Sequence, residues 1–135
     1  MNEIKPYIIT SAVLGIILGI LSAIPFVNVV SITALFVLTG IFSLIQFIMA
    51  NPSVKPSVSE TLYLSGGGGF ISAFCSCIVF VPLAVIFNIF GFKALLEGIN
   101  PIILAFFAFF FALLCAMTNA FIGSGVTYIY NIFKK

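Results

Sequence analysis

The charged side chains of this sequence all lie outside its long apolar stretches. Glu3 and Lys5, Lys55 and Glu60, Lys93 and Glu97, and Lys134 and Lys135 mark ends and connections, and no acid or base interrupts what lies between. A bilayer core about 30 Å thick takes about 20 apolar residues to cross as a helix, and the intervals between these pairs hold one or two such lengths each. Hydrophobic residues make up 63% of the chain and charged ones 6%, too few to cover a water-facing surface at this length. The sequence reads as an all-α integral membrane protein with lipid as its solvent.

Breakers and caps place four spans in one transmembrane domain over residues 1–135: about 7–24, 29–49, 62–91, and 101–123 or longer. Pro6 opens the first, where its missing N–H would be unpaired anyway, and Pro25 helps end it. A turn at Phe26, Val27 and Asn28 leads to the second, which Asn51, Pro52 and Pro56 stop. Ser57 followed three residues later by Glu60 predicts a capping box for the third. Its apolar run to Phe92 spans about 45 Å as a helix, so it must tilt, break or project, with Gly66 to Gly69 and Pro82 as the places to do so. Asn100 and Pro101 predict the N-cap and first turn of the fourth, and Gly123 and Gly125 its end or a bend. A secretory signal cut after Ala23 is the alternative for the first segment. The bulky Leu21 before such a cut, and a following apolar segment able to pair with the first, favour a retained span.

Four spans put both termini and the linker from Asn51 to Thr61 on one side. Lys5, Lys55, Lys134 and Lys135 then face only Lys93 across the membrane, so the positive-inside rule predicts a multi-pass protein of the cell membrane with cytoplasmic termini. Tyr7, Tyr63, Tyr128 and Tyr130 fall at that same interface, where an amphipathic ring keeps its hydroxyl wet. An inverted or dual topology is the alternative.

The most ordered pattern is a stripe of small residues. Ser11, Gly15, Gly19 and Ala23 recur every four positions in the first span, and Ser65, Gly69, Ala73 and Cys77 do so in the third. Small side chains let backbones approach closely, which matters in lipid because the hydrophobic effect does not draw apolar helices together. Ala108, Ala112, Ala116, Ala120 and Ser124 give the fourth span a similar face, and Thr39, Gly40 and Ser43 give the second a shorter one. The first and third stripes are offset by 54 residues throughout. Two parallel hairpin repeats account for that, and so does convergence on one packing pattern.

GIILGILSAIP from Gly15 to Pro25, Gly40 in the second span, and VSETLYLSGGGG from Val58 to Gly69 resemble a loose group of small, glycine-rich prokaryotic membrane proteins of unknown function. The resemblance covers mainly the first two-thirds. It implies a multi-span helical architecture and brings no catalytic residue with it.

Absences narrow the chemistry. There is no His, and no carboxylate or amine within the spans, so the sequence offers neither the proton carrier nor the charged clamp that intramembrane ionisable groups usually provide. General acid–base and nucleophilic catalysis both need a positioned titratable group, so no enzyme, no cofactor and no metal is expected. Gly66 to Gly69 lacks the following Lys-Ser or Lys-Thr of a phosphate loop. Cys75, Cys77 and Cys115 read as packing residues rather than zinc ligands, with a Cys75–Cys115 disulfide open if the third and fourth helices touch at that depth. A net charge of +2 with dispersed lysines argues against nucleic acid. The expected partners are the bilayer and a homo-oligomer or larger membrane complex.

Two roles fit. One is structural, accessory or scaffolding, through helix packing along Ser11, Gly15, Gly19, Ala23, Ser65, Gly69, Ala73 and Cys77. The other is a small oligomeric channel or permease for a neutral solute, with Ser76, Thr118 and Asn119 lining a polar path. Asn119 is either interhelix glue or part of that path, because its amide needs partners in an apolar medium.

Overall fold

A computed structural model describes residues 4–134, so the terminal charges Glu3 and Lys135 lie outside the described residues. The described chain is helical, without strands: α1 (Lys5–Ser22), α2 (Val27–Val37), α3 (Thr39–Ala50), α4 (Val58–Thr61), a π-turn (Leu62–Gly66), α5 (Gly67–Ile86), a 3-10 turn (Ile89–Gly91), α6 (Phe92–Leu96) and α7 (Pro101–Phe133). Three helices are long and apolar enough to cross a membrane: Lys5–Ser22, Val58–Ile86 and Pro101–Phe133. The pair α2 and α3, bent by 51° at Leu38, becomes a fourth if taken as one span.

The local start signals act as their chemistry dictates. Ser57 Oγ accepts from the Glu60 N–H at 3.2 Å, and Glu60 Oε2 accepts from the Ser57 N–H at 2.8 Å, so the capping box is complete. Asn100 Oδ1 accepts from the Ile102 N–H at 2.9 Å with Pro101 following it.

Several boundaries differ from the sequence reading. α1 stops at Ser22 and α2 begins at Val27, so the turn falls two residues earlier than expected at the same length, and Phe26 takes a positive φ of 68°. The second span is not one helix. The third continues through Gly66 to Gly69, with a π-turn in place of a break, carries Pro82 inside α5, and ends at Ile86 rather than near residue 91. Gly123 and Gly125 do not end α7, which runs 33 residues, or about 50 Å. Its length has a use: the last turns reach the 51–57 linker, where Asn131 Nδ2 donates to Pro56 O at 3.1 Å and Lys134 Nζ to the carbonyls of Pro52 and Val54.

Contacts fix the relative directions. Gly15 and Gly19 of α1 abut Ser72 and Ser76 of α5 in the same order, so those helices run parallel. Thr61 with Thr127, and Ser65 with Gly123, set α7 antiparallel to them. The first and last described residues and the 51–57 linker therefore share one end of the bundle.

Its interior inverts the usual arrangement. Among the described residues only two large aliphatic side chains, Leu35 and Leu44, are buried, while Ser11, Ser43, Ser65, Ser72, Thr61 and Asn119 are 0–1% exposed. Large apolar side chains cover the outside. A helix pair glued by small and hydroxyl residues is the arrangement that an apolar surrounding favours.

Candidate functional site

The polar centre of the bundle is Asn119, on α7 and 0% exposed. Its Oδ1 accepts from the Gly40 N–H at 2.8 Å, and its Nδ2 donates to Leu35 O and to Cys115 O, each at 2.8 Å. Gly40 is the second residue of α3 and Leu35 sits in the last turn of α2. These are groups that a helix start and a helix end leave without intrahelical partners. One side-chain amide thus stands in for the missing backbone hydrogen bonds on both sides of the Leu38 break. No proline causes that bend; an inserted side chain does. Thr39 Oγ1 adds a second donor to Leu35 O at 3.1 Å. Because unpaired backbone groups are costly in hydrocarbon, a break of this kind persists only where protein groups re-satisfy it.

Glycines let this junction close. A Cβ on Gly40 would strike Ser65 O and the Asn119 side chain, and one on Gly69 would lie 2.7 Å from Asn119 Nδ2. The four-glycine run falls where helices converge. Gly66 meets Ala120 of α7, Gly68 meets Ser43 and Ser11, and Gly69 meets Asn119, while Gly67 faces open space. Two hydroxyl contacts flank the junction toward the chain ends. Ser11 and Ser43 share a bond at 3.0 Å with Ser72 donating to Ser11 O at 2.7 Å, and Thr61 and Thr127 share one at 2.8 Å.

The two stripes read from the sequence occupy different interfaces. Ser11, Gly15 and Gly19 are buried against Gly68, Ser72 and Ser76, with Ala23 half-buried beyond the helix end. Ser65 and Gly69 face α7 instead, Ala73 packs with Leu35, Ala112 and Cys115, and Cys77 is half-buried farther along. α5 therefore carries two adjacent lines of small residues, one for α1 and one for α7. All three cysteines are free thiols.

The three polar-path candidates are not brought onto one surface. Thr118 is exposed and its hydroxyl returns to Leu114 O and Cys115 O of its own helix, at 3.1 and 3.0 Å. Ser76 lies against Gly19 and on the wall of a separate cavity, and Asn119 is committed to the break. Sequence reasoning missed the Gly40 N–H as donor to the Asn119 amide and Leu35 O as its acceptor. The only signal was the polar pair Thr39–Gly40 within an apolar run.

These features define a class: an all-helical protein with three or four helices able to cross a membrane, closed by backbone-level contacts and one buried carboxamide. No family model, curated protein or solved structure matches the chain.

Proposed function

We propose that the chain is a four-span integral membrane protein with cytoplasmic termini, and that its role is structural or accessory, non-enzymatic, through packing with itself or with a larger membrane complex. The observation that carries this reading is the use made of Asn119. The most polar buried side chain has both its N–H groups and its oxygen engaged in joining α7 to the broken α2–α3 pair. Ser11, Ser43, Ser72, Thr61 and Thr127 are used in the same way. Counting α2 and α3 as one span puts Lys5, Lys55 and Lys134 at one end and Lys93 at the other, which supports the orientation.

Reporter fusions test the topology. A fluorescent protein after Lys134 should fluoresce and alkaline phosphatase there should be inactive, with the reverse for fusions at Gly98. The role is tested by recovering the native assembly in mild detergent and repeating this with Gly15→Leu and Gly19→Leu, each of which drives a side chain into α5. A defined assembly that these changes dissolve supports packing as the function. A lone monomer, together with solute flux in vesicles that falls in Asn119→Leu, would replace this reading with the permease.

A further inference from the structure

At the end of the bundle away from the termini the helices diverge around a cavity of about 390 Å³, within the ordinary range for small-molecule sites. Ile32 and Leu35 of α2, Phe80 of α5, and Leu104, Phe107 and Phe111 of α7 stand in its wall, and no charged side chain lines it. Ile32 is 41% exposed and Phe107 67%, so the α2 and α7 walls of the cavity both reach the outer surface of the bundle.

Its cover is the connector between α5 and α7. Phe90 lines the cavity from a left-handed backbone (φ 54°, ψ 28°), with Asn88 at φ 48° before it and Gly91 at φ 71° after it. A bulky aromatic residue is disfavoured in that region, and such strain concentrates at clamps over ligands. Phe92 closes the same side, its ring edge-on to Phe80 at 5.7 Å between centroids.

The wall is apolar almost throughout. Ser22 returns its hydroxyl to Leu18 O at 2.7 Å, which leaves Asn28, whose carboxamide no other described residue hydrogen-bonds, as a free polar group at the outer end, while Leu35 and Phe111 stand about 10 Å deeper, seven helical residues along. A membrane lipid has the same order, with carbonyls near the interface and hydrocarbon toward the midplane. A dry apolar void opening onto hydrocarbon gains dispersion contacts when a chain enters it.

We propose that this cavity holds the hydrocarbon chain of a bilayer lipid, entering between α2 and α7, with the lipid's carbonyl region at Asn28 and its chain end toward Leu35 and Phe111. The proposal rests on the membrane-spanning reading above. The full chain in nanodiscs of phosphatidylcholine tests it, with one of two photoreactive phosphatidylcholines added, bearing a diazirine near the ester or at the chain end. After illumination, peptide mass spectrometry should place near-ester adducts at Asn28 and Phe90 and chain-end adducts at Leu35 and Phe111. These should exceed the adducts at Phe121, which is 83% exposed and reports ordinary lipid contact. Ala108→Phe, which fills the cavity, and Ile32→Trp, which obstructs its mouth, should each abolish the deep adducts, with circular dichroism melts confirming a folded chain. Cavity adducts no more frequent than those at Phe121, a reversed depth order, or deep adducts undiminished in a folded variant would each overturn the proposal. Protein released from membranes by alkaline carbonate would instead overturn the membrane reading itself.

Discussion

Replacing Asn119 with leucine removes the amide that spans the Leu38 break, and the structure sets the size of the effect. Cys115 O keeps the Thr118 hydroxyl at 3.0 Å, and Leu35 O keeps the Thr39 hydroxyl at 3.1 Å. The Gly40 N–H loses its acceptor outright. A buried donor left without a partner costs about 1–3 kcal/mol. The interhelix bond to Leu35 O adds about 0.6 kcal/mol, the average for such bonds between membrane helices. Together these predict a loss of roughly 2–4 kcal/mol, before any strain from a branched side chain pressed on the Gly69 backbone. One relaxation would lower the figure: α2 and α3 could straighten and return the Gly40 N–H to a carbonyl one turn earlier. The assay therefore pairs unfolding in mixed detergent micelles with amide hydrogen exchange at Gly40. Thr39→Val in the same background should cost more than the two changes separately, by roughly 0.5–3 kcal/mol, because both donors serve Leu35 O. Undiminished protection at Gly40, with a stability change below about 0.6 kcal/mol, would refute the reasoning.

Glycine substitutions should separate contact from mere composition. Gly15→Ala drives a methyl into Ser72 O and should loosen α1 from α5, whereas Gly67→Ala meets nothing and should stabilise the helix by about 0.5–1 kcal/mol; thermal melts in detergent check both. Lys134→Ala removes the ammonium that holds the carbonyls of Pro52 and Val54, and should speed proteolysis within the 51–57 linker while changing global stability by less than about 1 kcal/mol.

The features legible in the sequence are those set by neighbours along the chain. Ser57 and Glu60 satisfy each other within one turn, Asn100 and Pro101 start α7 on the spot, and Ser11, Gly15 and Gly19 announce a close interface by spacing alone. Spacing does not name the partner. On α5 the line Gly68, Ser72, Ser76 runs beside Gly69, Ala73, Cys77 at the same period, and only tertiary contact shows that the first meets α1 and the second turns toward α7 and the core. The bend at Leu38 was hidden because its cause is remote. The side chain that permits it joins Gly40 from 79 residues away. The sequence leaves the end of α7 open, at residue 123 or beyond, for a related reason. Gly123 is there to admit Ser65, not to stop a helix, and Gly125 faces open space without breaking it.

The bundle is held differently toward its two ends, which bears on where it can move. Toward the termini, glycine backbones touch neighbouring helices and hydroxyls bond across them, from Ser11–Ser43 to Thr61–Thr127, with Lys134 fastening the linker. Beyond Asn119 the α1–α5 seam keeps its glycine contacts as far as Gly19 and Ser76, while the packing around α2 and α7 passes to aromatic rings, Phe36 against Phe111 at 5.5 Å and Phe80 against Phe92 at 5.7 Å, around a space that the chain leaves unfilled. Ring contacts can slide, whereas a backbone-to-glycine contact has no give and an orphaned amide is penalised at once. Local opening should therefore begin in the 87–99 connector, where none of the backbone from Ile89 to Leu96 is part of a buried element and three residues hold positive φ before α6. Amide exchange resolved by residue checks this. The connector should exchange first and Gly40, Gly69 and Ser72 last, and an order in which the Asn119 junction opens before the connector would mean that the buried carboxamide is a hinge rather than a clasp.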